Sequence, residues 1–217
     1  MAHLSNDAGL IAAFESGEDL HSTVASQVFN VKHTDVDAEM RRTIKAMSYG
    51  LAYGLSSFGL AQQLDIDPAS ASDLMSKYFE RFGGIRDYLK TVVVTAREKG
   101  YTETILGRKR YLPDLNHENR MRREVAERAA LNAPIQGSAA DIIKIAMLKV
   151  ESQINDKNLK SRLLLQVHDE LIFDALKSEA AVLKPLIISS MQEALNLPND
   201  VPVIAECGQG ANWLEAH

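Results

Sequence analysis

LLLQVHDELIFDA, Leu163 to Ala175, consists of two short apolar runs broken by the polar triplet His168-Asp169-Glu170. Side chains alternate along a strand, so Leu165 and Val167 share a face, as do Leu171 and Phe173. The abrupt break reads as a tight antiparallel hairpin turn, although it lacks the Gly or Asn such turns favour. Two adjacent carboxylates on a rigid hairpin tip offer hard oxygen ligands to a Mg²⁺ ion. Such ions serve phosphoryl transfer, where two metals clamp the attacking and leaving oxygens.

Working outward, the pattern upstream is different. Residues 1–157 read as mostly helical, and the apolar period switches from 3.6 to 2 near residue 160, which marks a lobe boundary. Asp7 and Asp19 are placed to cap the first helices, and a long helix runs from Asp37 to about Tyr53-Gly54. Asp67-Pro68 opens another, with Leu74, Tyr78 and Phe82 on one stripe, and a further helix follows to Lys99-Gly100. YTETILGRKRYLPDL, residues 101–115, reads as a small hairpin turning at Gly107. A helix from about Asn119 meets Pro134, which should kink or break it, and another runs from Ser138 to about Asn155. After the acidic hairpin come a helix near 178–195 and a last strand around Val203–Cys207. The fold class expected is α+β and mainly helical, with a small antiparallel sheet near the C-terminus.

Composition sets outer limits. The 217 residues, 46% hydrophobic, make one domain or two small lobes. No run approaches the length of a membrane helix, and MAHLSNDAGL lacks the pattern of a signal peptide. The single cysteine, Cys207, excludes an internal disulfide, fits a reducing compartment and reads as a small buried side chain. The net charge of −5 argues against a strongly basic nucleic-acid binder, but residues 81–128 carry twelve Lys/Arg against seven Asp/Glu. Such a block can contact phosphates while the whole chain stays acidic, but composition alone favours a solvated charged surface.

Arg41, Lys45, Tyr49 and Tyr53 recur every four residues. Each such step advances about 40° beyond a full helical turn, so the four lie on one broad face. Two cations followed by two aromatic rings suit a triphosphate bearing a sugar and a base. An amphipathic helix with snorkelling cations and half-buried tyrosines is the alternative. Arg128, Asn132 and Gln136 share the same spacing and offer donors to minor-groove acceptors, which every base pair presents. A polar helix face in which Glu124 pairs with Arg128 would look the same. The basic run in GRKRYLPD, residues 107–114, suits duplex backbone contact or plain solvation.

These residues carry a resemblance. RRTIKAMSYGLAYG (41–54) resembles the nucleotide-binding fingers helix of family A DNA polymerases, the bacterial DNA polymerase I type. It meets the family pattern at Arg41, Lys45, Tyr49, Tyr53 and Gly54. QVHDE (166–170) resembles the family's acidic palm motif. ERAALNAPIQGSAAD (127–141), HLSNDAGLIAAF, GEDLH and the final GANWLEAH are similar to the intervening and flanking segments, in order, over essentially the whole chain. The resemblance implies a helical fingers lobe, residues 1–156, followed by the C-terminal part of the palm, residues 157–217. It implies template-directed DNA synthesis, the transfer of a deoxynucleotide to a primer 3′-hydroxyl with two Mg²⁺ ions, in the service of DNA replication and repair.

Residue by residue, the resemblance implies that Arg41, Lys45 and His21 hold the incoming triphosphate. Tyr49 lies against its sugar and base, and Tyr53 stacks near the templating position. Arg128, Asn132 and Gln136 contact DNA, and His168 lies near the primer terminus. Asp169 is the carboxylate that ligates both metals, with Glu170 beside it. Asp169, Glu170 and Lys45 are thus the candidate catalytic residues, and Asp169 and Glu170 the candidate metal ligands. The implied partners are primer-template DNA and deoxynucleoside triphosphates, with no membrane, and the implied location is cytoplasmic and nucleoid-associated.

The family's first metal-binding aspartate lies in a strand just before the fingers, in a motif similar to Asp-Tyr-Ser-Gln-Ile-Glu. This sequence opens only after that point, at Met1-Ala2-His3-Leu4-Ser5. The palm is therefore expected to be incomplete at its N-terminus, and the chain alone to be inactive or very weak. It is expected to depend on the missing N-terminal palm and thumb, with a hairpin edge exposed. The alternatives are a non-catalytic DNA- or nucleotide-binding fragment and a Mg²⁺-dependent nuclease built on His168-Asp169-Glu170.

Overall fold

The computed structural model describes residues 1–17, 19–197 and 201–216, so the final histidine of GANWLEAH lies outside the described residues. The chain divides into two compact units, Met1–Gln136 and Gly137–His217. The division falls inside a helix just past Pro134, upstream of the change from helix to strand near residue 157.

The first unit holds α1 (Ala2–Ser5), α2 (Ala8–Glu15), α3 (Leu20–Phe29), α4 (Ala38–Ala52), α5 (Ser57–Leu64), α6 (Pro68–Arg81) and α7 (Gly83–Lys99). A hairpin of β1 (Tyr101–Glu103) and β2 (Lys109–Tyr111) follows, then the first part of α8 (Arg120–Asp156). Asp7, Asp19, Asp37 and Asp67 each stand in extended backbone before a helix and accept a hydrogen bond from an N–H two or three residues on. That satisfies donors a helix N-terminus otherwise leaves unpaired. Ser56 does the same for α5.

Asp7 does more than cap. Its Oδ1 accepts from Leu10 N at 3.0 Å and its Oδ2 from Gly84 N at 2.9 Å, which ties the starts of α2 and α7 together. A Cβ on Gly84 would lie 3.0 Å from Asp7 Cα and 2.9 Å from Oδ2, so glycine is what permits the approach. The core around this junction contains Val24, Ile44, Met47, Leu60, Phe82 and Ile85, all essentially without solvent contact. The α6 stripe of Leu74, Tyr78 and Phe82 faces inward as its spacing requires, with the Tyr78 and Phe82 rings 5.0 Å apart. A second cluster, Ala96, Leu112, Leu115, Ala126 and Ala130, seats the β1–β2 hairpin and a 3₁₀ turn (Pro113–Asn116) on α7 and α8.

Pro134 does not break α8, which runs unbroken from Arg120 to Asp156. A proline inside a helix removes one hydrogen bond and crowds the carbonyl four residues back, at about 3 kcal/mol. Here that residue is Ala130, and Ala133 precedes the ring, so the surroundings are small. Ala126 and Ala130 before the proline, and Val150 and Ile154 well after it, are buried in separate clusters, and that packing outweighs the local cost.

The second unit combines the rest of α8 with β3 (Arg162–Val167), β4 (Glu170–Asp174), α9 (Ala180–Gln192) and α10 (Trp213–Ala216). Strands β3 and β4 pair antiparallel from Arg162↔Asp174 to Val167↔Glu170, with an irregularity between Leu163 and Leu165. Because of that bulge, Leu163 lies opposite Phe173 while Leu165 lies opposite Ile172, on the other face. Phe173 packs on the cluster of Val150, Ile154, Leu183, Leu186 and Ile187, whereas Leu164 and Leu165 stay exposed. The Glu179 carboxylate ties the start of the sheet to the start of α9, accepting from Lys160 N, Ser161 N and Ser161 Oγ at 2.6–3.1 Å.

The strand expected around Val203–Cys207 is absent. These residues alternate between half-buried and exposed, as an extended segment does, but form no ladder with β3 or β4. Alternation supplies the pattern of a strand, while the hydrogen bonds need a partner. Cys207 is half-buried rather than enclosed. No described helix is long and apolar enough to cross a membrane.

Candidate functional site

Helix α4 organises the site of the first unit. Ile44, Met47 and Leu51 point into the core, and Arg41, Lys45 and Tyr49 are exposed. Burial of the first set, roughly 1.5–3 kcal/mol for each side chain, fixes the orientation of the second. Tyr53 is the C-cap residue. Gly54 N donates to Leu51 O at 3.1 Å and Leu55 N to Gly50 O at 2.8 Å, and Gly54 has φ +71°; together these make a Schellman motif. Leu55 folds back over Gly50, where a Cβ would clash with its Cδ2.

The end of α4 lies against α8. Gln136 donates through Nε2 to the Tyr53 hydroxyl at 2.9 Å, and Asn132 donates through Nδ2 to Ala52 O at 3.3 Å. A Cβ on Gly54 would come within 3.0 Å of Arg128 Cγ and Leu131 Cδ1. The three polar residues spaced by four on α8 therefore do form one face, and that face meets Ala52-Tyr53-Gly54. Glu124 pairs with Arg120 at 2.7 Å, so the expected alternative of a Glu124–Arg128 pair is not formed. Arg128 is exposed and has no carboxylate partner among the described residues.

At the other end of α4, Arg41 donates through Nε and Nη2 to the two oxygens of Asp19, both at 2.8 Å. This guanidinium, ahead of the Ser22 hydrogen bonds, holds the Asp19 carboxyl well below the usual carboxylate range. His21 lies in the first turn of α3, its ring 6.0 Å from that of Tyr49. Its Nδ1 is buried and has no hydrogen-bond partner among the described residues. Burial pushes the imidazole pKa down, with Asp19 opposing and Arg41 and Lys45 adding to the effect. Lys45 has no carboxylate within ion-pair distance among the described residues. Arg41, Lys45, Tyr49 and His21 thus form a cationic, aromatic surface open to solvent.

The basic hairpin is partly engaged. Lys109 lies 4.5 Å over the Tyr101 ring and 3.9 Å from Glu103. Arg110 and the largely exposed Tyr111 line a groove of about 360 Å³ with Met121, Arg122 and Val125.

In the second unit, His168 and Asp169 form the two-residue turn of the β3–β4 hairpin. His168 carries φ +53° without being glycine, a conformation costing about 1–2 kcal/mol. The Gln166 side-chain amide donates to the His168 carbonyl and braces the turn. Asp169 is exposed at the tip and Glu170 half-buried beside it, paired across the ladder with Val167. Their hard oxygens suit a divalent ion. No group of three or more His, Cys, Asp or Glu side chains able to hold a metal occurs among the described residues. The donors fit Mg²⁺ in kind and fall short of a two-ion site in number.

Residues 1–215 match the family model described as DNA polymerase family A. The chain belongs to that family. It is 57% identical over 213 residues to DNA polymerase I of Mycobacterium tuberculosis, covering 98% of this chain and 23% of that one. To DNA polymerase I of Bacillus subtilis it is 44% identical over 216 residues, covering 24% of that protein. The chain therefore spans about a quarter of the length of these relatives. A solved structure, the POL domain of Pol1 from M. smegmatis in complex with DNA primer-template and dNTP, matches with a TM-score of 0.94. The identity is 59%, covering 99% of this chain and 38% of that one.

The family A pattern on α4 thus coincides with a solvent-facing surface. What the sequence did not reveal is the role of Asp19 against Arg41. It reads locally as a helix cap, and its partner lies 22 residues away.

Proposed function

We propose that this chain handles the incoming nucleotide and the nascent base pair in template-directed DNA synthesis, the transfer of a deoxynucleotide to a primer 3′-hydroxyl. The observation that carries this reading is the α4 face, which presents Arg41, Lys45 and Tyr49 outward and ends at a Tyr53 held by Gln136. The family, and a 59% identical relative whose structure contains primer-template and dNTP, support it.

Arg41 and Lys45 neutralise triphosphate oxygens, and the His21 ring adds a hydrogen-bonding group beside them. The Tyr49 ring packs on the sugar and base. Tyr53, fixed in position by Gly54 and Gln136, bears on the templating base. Arg128 and the remaining donor of Asn132 reach minor-groove acceptors, which tests pair shape without reading sequence. Arg110 and its neighbours hold duplex phosphates. In the second unit, Asp169 and Glu170 are the residues that would hold Mg²⁺, with His168 beside the primer terminus. Bound there, the metal would lower the charge barrier to attack and to departure of pyrophosphate. Such synthesis serves DNA replication and repair, alongside the nucleoid in the cytoplasm.

The shortage of clustered carboxylates favours a second reading, in which these residues bind DNA and nucleotide while further metal ligands come from other polypeptide, in cis or in trans. Binding of a fluorescent primer-template, with each dNTP added in turn, tests the shared core of both. Tighter binding with the dNTP that complements the templating base is expected. An equal response to all four would overturn the reading.

A further inference from the structure

We propose that Asp19 gates the anion site of α4: its carboxylate occupies Arg41 until a polyphosphate displaces it, and so sets the charge a ligand must bring. The inference rests on the nucleotide-site reading above and concerns its regulation.

The geometry is specific. Arg41 directs Nε and Nη2 at both oxygens of Asp19, 2.8 Å each, in the forked arrangement a guanidinium also uses for phosphate. A phosphate approaching along that edge meets a site already filled by an anion. Asp19 is itself anchored, because its Oδ1 accepts from Ser22 N and Ser22 Oγ at 2.8 Å in capping α3. It therefore stays in place when Arg41 turns away, and it retains two hydrogen bonds when it does. Both side chains are more than two-fifths exposed, so the pair is weak enough for a ligand to break. Lys45, one turn further along α4, has no such partner among the described residues. A singly charged ligand is held by Lys45, whereas a chain of phosphates can hold Lys45 and draw Arg41 from Asp19. The carboxylate also repels whatever phosphate takes its place, which assists release of pyrophosphate.

Asparagine separates charge from capping, since it caps helices as well as aspartate does and is nearly isosteric. Calorimetric titration of the 217-residue chain with dATP, and separately with inorganic pyrophosphate, should show Asp19→Asn binding each about two- to fivefold more tightly than wild type. The gain should shrink in high salt. It should vanish in the Arg41→Ala background, which a purely structural role for Asp19 would not produce. Unchanged thermal unfolding of Asp19→Asn shows that the cap persists; Asp19→Ser, which also caps, repeats the test should the first variant unfold. Equal or weaker binding by folded Asp19→Asn overturns the gate while leaving the nucleotide site standing. Wild-type binding that Arg41→Ala leaves intact overturns the site itself. So does failure of both wild type and Asp19→Asn to bind, and the gate falls with it.

Discussion

The Tyr53 hydroxyl accepts a hydrogen bond from Gln136 Nε2 at 2.9 Å, joining residues 83 positions apart in sequence. The contact is exposed and water competes for it, so its net value lies toward the low end of the ordinary range of about 0.5–1.5 kcal/mol. A double-mutant cycle with Tyr53→Phe and Gln136→Ala should return a coupling energy of about 0.5 kcal/mol in urea unfolding. Additive effects would show that the two side chains are neighbours without being partners.

Gly54 is constrained twice over. At φ +71° any other residue bears about 1–2 kcal/mol of left-handed strain, and a Cβ would press on Arg128 and Leu131 at 3.0 Å. Gly54→Ala should therefore destabilise the first unit by about 2 kcal/mol or more, lowering its thermal midpoint. A midpoint within a degree of wild type would refute that tight contact between α4 and α8.

Glu179 ties β3 to α9 with its carboxylate. Hydrogen bonds from the Ser161 hydroxyl first, then from the Lys160 and Ser161 amides, lower its pKa from the ordinary 4.5. A depressed folded-state value means that the folded protein holds the proton less tightly than the unfolded chain. Its stabilising contribution is thus complete above pH 4.5 and lost as pH falls through the depressed value. Urea unfolding between pH 6 and 3 should show Glu179→Gln with a shallower loss of stability than wild type. Parallel pH profiles would rule out this role.

The Tyr49 ring is more than half exposed and its hydroxyl has no hydrogen-bond partner among the described residues. A hydroxyl there can substitute in part for a missing sugar 3′-hydroxyl, so discrimination against dideoxynucleotides should be weak. In a polymerase carrying this segment, Tyr49→Phe should raise discrimination by about fivefold or more, the worth of one hydrogen bond. An unchanged ratio of dideoxy to deoxy incorporation would dismiss the hydroxyl.

Local signals in the sequence proved dependable. The caps at Asp7 and Asp19, the helix starts at Asp37 and Asp67, the Tyr53-Gly54 stop, the Gly107 hairpin and the acidic hairpin each depend on residues within a few positions, and each formed where expected. What depends on distant partners was not legible. Pro134 was expected to kink or break its helix, and packing on both sides carries α8 through without a break. Val203–Cys207 has a strand's alternation without a ladder to join. The arrangement of the site followed the same rule. Spacing placed Arg41, Lys45, Tyr49 and Tyr53 near one another, but could not show that Asp19 holds the first or that Gln136 holds the last.

The most direct test replaces the matching 213-residue segment of the Mycobacterium tuberculosis DNA polymerase I with this chain and measures primer extension with Mg²⁺ and four dNTPs. The hybrid should extend the primer according to the template, and Asp169→Asn within it should abolish extension while leaving primer-template binding intact. An inactive but folded hybrid, or extension that survives Asp169→Asn, would contradict the assignment of these residues to DNA synthesis.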